Sequence, residues 1–502
     1  MELFQKNIIC ALLFYFISNL LKFIVRFFFI KSLPIEFLGI NGLLSNVLAL
    51  LSFAELGIGQ AIVYSLYKPI AANDKDEIIS IMGLYKKLYN IIGVGVIIVG
   101  VFITPYLNWF IKNNTIENLH LYYVIFVLNM GFSYFFAYKR DLIVAHQKQY
   151  INNAYKIVFQ IILGILQIAS LLIYANYLIY ILLMLMLTFI ENYFASKKAS
   201  EMFPYLKNIT YKTAVSHEIK KQLIKNIKAL ILHRIGNIFV LASPNLIISK
   251  FIGLKTLGLY SNYYMILFAV NNFAVNIFGA ITANIGNLLI EETEDKKVKA
   301  FNSIQFIVSL QNALICSGFF VLLNPLIELW IGKQFLFSGL TVNLLIINFY
   351  FNYMRRGVLT FREASGLYWQ DRFKPMLESM IFIISSLILQ KSLGINGIII
   401  GLILSVLFTS FWIEPYVLFN NGINVKLKDY FIDYLKFTVV ALLSAFASKL
   451  IYSSLFVEVT LVNFMAGILI CVSVTFVLWS AIFKNREEMQ YLVNFAKSKF
   501  MK

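Results

Sequence analysis

Apolar runs of about 20 residues recur along the whole chain with only short polar stretches between them, and this recurrence limits what the chain can become. A helix rising 1.5 Å per residue needs about 20 apolar residues to cross a hydrocarbon layer of about 30 Å. A window of about 19 residues finds such segments near 8–30, 40–66, 88–110, 119–138, 157–175 and 178–196. They resume near 229–252, 258–286, 302–326, 338–357, 376–393, 395–419, 437–456 and 460–483. Fourteen spans consume about 280 apolar-rich positions. The chain has 502 residues, 60% hydrophobic and 14% charged, with a mean hydropathy of +0.77, whereas a soluble domain is about 45–50% apolar and about a quarter charged. No large water-soluble domain fits. The expected fold is all-α: a polytopic membrane protein with about 14 transmembrane helices.

A net charge of +18 and a pI near 9.5 would ordinarily suggest a nucleic-acid partner. Here the basic residues alternate with the spans and report topology instead. With the N-terminus in the cytoplasm, inner segments hold 33 of the 43 Lys and Arg. The outer loops hold six (Lys31, Lys112, Lys250, Lys255, Lys333 and Lys391). Both termini are therefore expected inside, in a multi-pass cell-membrane protein, and no nucleic acid is expected to bind. Residues 8–30 are too long for the apolar core of a cleavable signal and read as a first span that also anchors. Cys10, Cys316 and Cys471 lie in or beside apolar stretches without metal-ligand spacing.

The longest inner loop is basic and carries Lys197, Lys198, Lys207, Lys212, Lys220, Lys221, Lys225 and Lys228. It divides the chain into an N-terminal six-helix lobe (1–196), a cytoplasmic linker (197–228), a C-terminal six-helix lobe (229–420), and two additional helices with a cytoplasmic tail (421–502). A repeat supports the division. A shift of 219 residues lays IKSLPIEFLGI (30–40) over SKFIGLKTLGL (249–259), matching Leu38-Gly39 with Leu257-Gly258. A shift of 216 lays Lys139-Arg140 over Arg355-Arg356. An even number of spans separates the copies, so the lobes share one orientation, as in transporters whose substrate site lies between parallel repeats.

RFFFIKSLPIEFLGINGLL (26–44), ELGIGQAI (55–62), SLYKPIA (65–71), AHQKQYI (145–151), LASPNLIISKFIG (241–253), GLYSNYYMI (258–266), GLYWQDRFKPMLES (366–379) and GINGIIIGLILS (394–405) occur in this order. Over about residues 8–420 the chain resembles the bacterial oligosaccharide flippases, the O-antigen and capsule repeat-unit translocases of the multidrug/oligosaccharidyl-lipid/polysaccharide exporter superfamily. The resemblance implies two six-helix lobes around a central cavity and alternating access. It also implies movement of an undecaprenyl-diphosphate-linked oligosaccharide from the inner to the outer leaflet. Two positions depart from the family pattern. Pro244 stands where Asp is common before the Asn of LASPNLIIS, and His146 stands where an acid is common in AHQKQYI. The first removes an intramembrane carboxylate, which weakens any ion-coupling role for that position.

An intramembrane charge costs roughly 2.5–3.5 kcal/mol on insertion scales and needs a reason. Lys22 and Arg26 share one face of span one, roughly 4 and 10 Å outward of the midplane. Glu55 lies about 3 Å inward of the centre of span two and is the one carboxylate near the middle of any span. Lys22 and Arg26 can meet an anionic diphosphate head; alternatively Lys22 and Glu55 form an internal pair. Glu55 is the expected proton or cation site if transport is ion-coupled. Arg234, beside His233 at the start of span seven, either joins the cavity or snorkels to the interface. Asn276 and Asn284, with Asn287, fall near one face of span eight and suit either sugar hydroxyls or helix–helix contact. Arg140 with Lys139, and Arg355 with Arg356 and Arg362, can gather a diphosphate at the cytoplasmic mouth or touch anionic lipid. Glu191 and Glu414 lie at inner helix ends and are expected to pair with nearby Lys or Arg, and Lys449 reads as an interface anchor.

Asp74-Lys75-Asp76 has the form of a glycosyltransferase metal motif, but Asp74 with Glu77 makes a ready helix cap. The sequence has no Walker loop, HExxH or GxSxG, so no cofactor, metal or catalytic residue is expected. The sequence thus predicts a transporter rather than an enzyme: a flippase of lipid-linked oligosaccharide serving surface polysaccharide assembly. Its expected partners are the polyprenyl-diphosphate substrate and membrane lipid, with a polysaccharide polymerase and glycosyltransferases alongside. The rivals are an ion-coupled multidrug exporter of the same fold, whose cavity should be acidic, and a membrane glycosyltransferase or polymerase, for which the outer loops are too short.

Overall fold

The computed structural model describes residues 2–52, 55, 58–112, 116–205, 242–367 and 369–490. Every regular element among them is a helix. The chain divides into two compact units, Met1–Gly258 and Leu259–Lys502.

The first unit contains α1 (Glu2–Ser32), α2 (Ile35–Leu51), α3 (Ile58–Ala71), α4 (Lys75–Ile103), α5 (Leu119–Ala145), α6 (Gln149–Ile173) and α7 (Tyr177–Met202). Local chemistry sets the boundaries. Pro34 precedes α2, where its fixed φ suits a helix entry. Asp74 accepts a hydrogen bond from the Glu77 amide at 3.0 Å, the cap anticipated for the Asp74-Lys75-Asp76 motif. Asn176 receives the Leu178 and Ile179 amides at the start of α7. The segment read as one span over 40–66 is interrupted: α2 ends at Leu51, α3 begins at Ile58, and Glu55 sits in the break. Hydropathy registers the apolar side chains on both sides but says nothing of backbone continuity.

Residues 229–241 of span seven and most of the expected linker, Arg234 and His233 included, lie outside the described residues. The helix of span six continues to Met202, so the first residues of the expected linker are helical. Pro244 lies within a helical run that passes directly into a π-helical turn, Ile248–Ile252, ending at Gly253 with φ 125°. The next helix, α8 (Leu254–Glu291), begins in the first unit. There the repeated motif closes on itself. A Cβ on Gly39 would lie 2.2 Å from the Leu254 carbonyl oxygen, and one on Gly258 would lie 2.5 Å from the Ile35 carbonyl oxygen. Ile35 maps onto Leu254 and Gly39 onto Gly258 under the same shift of 219 residues. The two copies therefore meet reciprocally, as in an isologous contact, with backbones closer than any side chain permits.

The second unit contains the rest of α8, then α9 (Glu294–Ile331), α10 (Gly339–Met354), α11 (Arg356–Ala364), α12 (Lys374–Leu393), α13 (Ile395–Phe408), α14 (Ser410–Asn421), α15 (Leu427–Leu455) and α16 (Leu461–Phe483). Span twelve is broken at Thr409. The helices α15 and α16 pack on α9, with Trp479 stacked on Phe437 at 5.7 Å and 5.9 Å from Phe306.

Ten helical stretches among the described residues are long and apolar enough to cross a membrane. Many of their large side chains face outward, among them Phe102, Trp109, Leu172, Ile173, Leu450 and Leu469. Such exposure is costly in water and unremarkable in lipid, where dispersion and small-residue contacts hold helices together. The chain is a multi-pass, all-helical membrane protein.

Candidate functional site

Lys22 and Arg26 lie on α1, which packs against α6. The Lys22 side chain is exposed. Arg26 is half-buried, with Tyr180 of α7 as its electrostatic neighbour. Tyr180 belongs to an aromatic group in which Phe29 meets Tyr180 at 5.0 Å and Phe37 meets Tyr177 at 4.9 Å. Glu55 does not pair with Lys22. Its Oε1 accepts a hydrogen bond from Tyr89 of α4 at 2.8 Å. Close by, a Cβ on Gly59 would lie 2.6 Å from the Tyr89 hydroxyl and 3.3 Å from the Glu55 carboxylate, so the glycine keeps this corner open.

The two units repeat one pattern of charged side chains. In the first, Arg140 of α5 donates to Asn192 and lies 3.4 Å from Glu191, both of α7. Lys156 of α6 is within electrostatic reach of Arg140, Glu191 and Asp141. In the second, Arg355 grips Glu414 of α14 with two hydrogen bonds, Nε at 2.9 Å and Nη2 at 2.6 Å. Lys374 of α12 donates to the same carboxylate. Arg, Lys and Glu thus come from the fourth, fifth and sixth spans of each repeat, at offsets of 215, 218 and 223 residues.

The copies differ in neutralisation. Beside Arg355 and Lys374, Glu378 adds a second carboxylate, 3.8 Å from Arg355 and held by the Ser410 hydroxyl at 2.7 Å. Glu414 is wholly buried, and Lys374 and Glu378 are buried with it. Two cations and two carboxylates cancel in this closed network, so Arg355 is committed within the protein. Arg362 is likewise paired, with Asp371. In the first unit Arg140, Lys156 and Lys139, which donates to Ser200 at 3.0 Å, stand against Glu191 and Asp141, leaving one surplus positive charge.

Among the other expected positions, Asn284 and Asn287 on α8 are exposed. Asn276 lies on α8, its side chain outside the described residues. His146 closes α5: its Nδ1–H donates to the Leu142 carbonyl at 2.9 Å and its ring lies 4.3 Å from that of Phe203. Burial lowers its pKa, so it behaves as a neutral cap. The sequence reading missed Asp141, Tyr85 and Tyr89 around Glu55, and Lys374 and Glu378 around Glu414. For Lys374 a signal existed, since it sits near the same repeat offset from Lys156 that relates Arg140 to Arg355.

Neither a protein-family model nor a curated protein matches the sequence. Solved structures do match in shape. The lipid II flippase MurJ in its inward closed conformation superposes with a TM-score of 0.68 at 14% identity, over 95% of this chain and 99% of that one. A mutant of the Vibrio cholerae MATE transporter VcmN gives 0.55 at 14% identity, over 83% and 95%. A superfamily transporter from Pyrococcus furiosus gives 0.50 at 13% identity, over 83% and 96%. The chain has the multidrug/oligosaccharidyl-lipid/polysaccharide exporter fold.

Within the exporter fold the extent of each match is informative. The MATE transporter covers 83% of this chain, whereas MurJ covers 95% of it. A break such as the one beside Glu55 is tolerated at membrane depth where the backbone lines a cavity or is buried in protein.

Proposed function

We propose that the protein is a flippase that carries an undecaprenyl-diphosphate-linked oligosaccharide from the inner to the outer leaflet of the bacterial plasma membrane, for surface polysaccharide assembly. The observation that carries this reading is the end-to-end similarity to a lipid-linked flippase, the C-terminal helices included, where the drug-transporter likeness covers 83% of the chain. Charge supports it. Lys22 and Arg26 on α1, with the one positive charge in excess around Arg140, suit a diphosphate better than a cationic drug. In this proposal Arg26 contacts the diphosphate, Arg140 and Lys156 gather it at the cytoplasmic mouth, and Asn276 and Asn284 meet sugar hydroxyls. Arg234 is a further phosphate contact, and Arg355 contributes to folding more than to binding. Both termini are cytoplasmic, and a polymerase and glycosyltransferases work alongside. Glu55 couples transport to a proton or cation gradient, the only driving force assigned besides removal of product outside.

The specific test is an Arg26 series. Purified protein is reconstituted with an undecaprenyl-diphosphate-linked N-acetylglucosamine bearing a fluorescent label on the sugar. Arg26→Ala and Arg26→Glu should abolish movement between leaflets, while Arg26→Lys keeps part of it, because a point charge partly replaces a two-pronged donor. Normal movement by a well-folded Arg26→Glu protein ends the assignment.

A further inference from the structure

Four side chains in the first unit stand in line. Tyr89 donates to Glu55 at 2.8 Å, Tyr85 donates to Asp141, and the two tyrosines, one turn apart on α4, bring both hydroxyls to one corner, 2.6 and 3.0 Å from where a Cβ on Gly59 would lie. Their rings cross edge to face at 4.4 Å. Both tyrosines are buried, in a core formed by Ile62, Leu66, Ile81, Met82, Leu142 and Ile143, while Glu55 and Asp141 at the two ends are half-buried. A polar thread thus crosses an apolar core from the break in span two to the last turn of α5.

Proton counting gives the thread a preference. Each tyrosine has one hydroxyl proton. With both carboxylates ionised, each hydroxyl points outward and nothing bridges the two phenol oxygens. With one added proton the thread is complete in either sense. A protonated Glu55 donates to Tyr89, Tyr89 to Tyr85, and Tyr85 to an ionised Asp141; or a protonated Asp141 donates to Tyr85, Tyr85 to Tyr89, and Tyr89 to an ionised Glu55. The two arrangements interconvert when three protons each shift by one hydrogen bond. One O–H bond breaks at Glu55 and one forms at Asp141, with each phenol losing one proton and gaining another, so no charge is left on a tyrosine. A chain of this kind is cooperative, and leaving it incomplete in a low-dielectric core is costly.

We propose that Glu55, Tyr89, Tyr85 and Asp141 form a single proton-holding chain, with Asp141 the second carboxylate of the coupling site and the tyrosines its conductor. The proposal deepens the coupling role given to Glu55 and rests on it. Other charged and titratable groups bear on the two ends. Arg140 on the same helix and Lys156 from α6 lie within electrostatic reach of Asp141, with Glu191 of α7 beyond them. Tyr134 of α5 lies near Glu55. At the Asp141 end the two cations work against burial, which favours the protonated carboxyl. Substrate phosphate drawn to those cations would offset them and pull the proton toward Asp141, which links loading to proton movement.

The test reads the proton directly. Purified full-length protein in lipid nanodiscs is titrated while carboxyl bands are followed by difference infrared spectroscopy, with Glu55→Gln and Asp141→Asn assigning the bands. The wild-type pair should take up its two protons in two well-separated steps, as coupled sites do. Tyr85→Phe and Tyr89→Phe, which keep the rings and their packing, should each draw the two steps together. Unchanged steps in both variants overturn the chain. Transport is measured in parallel with the labelled undecaprenyl-diphosphate-linked N-acetylglucosamine. Asp141→Asn and Tyr85→Phe should lose gradient-driven movement and keep downhill exchange. If the infrared coupling is present but the wild type moves the probe without regard to the gradient, the coupling role of Glu55 is wrong and the shared proton stands.

Discussion

Glu414 is the residue on which most of the buried charge in the second unit depends. It receives Arg355 and Lys374 at once and is itself wholly buried. Removing one partner of such a network strands the others, at a cost of about 3–5 kcal/mol for buried pairs. Glu414→Ala should therefore lower the thermal unfolding midpoint sharply, and Glu414→Gln less so, in detergent-solubilised protein followed by tryptophan fluorescence. Arg140→Gln should cost less, since Arg140 and Glu191 are 15% exposed and Lys156 remains to balance Glu191. The sequence made some of this legible: Glu191 and Glu414 were expected close to inner helix ends with basic partners, and both have the partners, though each lies within its helix. Arg355 as a mouth cation could not be distinguished from Arg355 as a buried partner, because sequence position gives depth along a helix and not the identity of the facing helix. Asp141 was missed for a related reason. Hydropathy ends span four near residue 138, where Lys139 and Arg140 begin, yet the helix runs to Ala145 and carries the carboxylate back into the core.

Helices of the first unit meet at glycine. Gly39 of α2 and Gly258 of α8 allow the backbones of the matched motifs into contact, and a methyl group at either would fall inside van der Waals distance of a carbonyl oxygen. Gly39→Ala and Gly258→Ala should each destabilise the protein by about 1–3 kcal/mol, the usual cost of overpacking. Gly286→Ala, where nothing lies within 4 Å, should be neutral or slightly stabilising, as removing a helix-interior glycine usually is. Equal unfolding midpoints for all three would contradict the close crossing. The all-helical, multi-pass character followed from hydropathy, which expects about 14 spans where ten stretches among the described residues are long and apolar enough to cross a membrane; the repeat came from a shift of the sequence over itself. The interruptions beside Glu55 and at Thr409 did not, because a chain leaves the helix for the sake of contacts that the local pattern does not encode.

For the whole molecule, the basic-residue count assigns one face of every span. Single cysteines at Lys31, Lys333 and Lys391 should react with a membrane-impermeant maleimide from outside, and those at Lys297 and Lys426 only after permeabilisation. Outside labelling at Lys297 would invert the topology and remove Arg140 and Lys156 from the cytoplasmic mouth. The central claim is that the cargo is a lipid-linked diphosphate sugar, and leaflet exchange in proteoliposomes tests it most directly. An undecaprenyl-diphosphate-linked N-acetylglucosamine with a nitrobenzoxadiazole label on the sugar is exposed to external dithionite, with ethidium uptake measured on the same vesicles. The account predicts that bleaching, confined to the outer leaflet in protein-free vesicles, extends to nearly all of the probe when the protein is present, without ethidium transport. Bleaching that stays at the protein-free level while folded protein transports ethidium would contradict it.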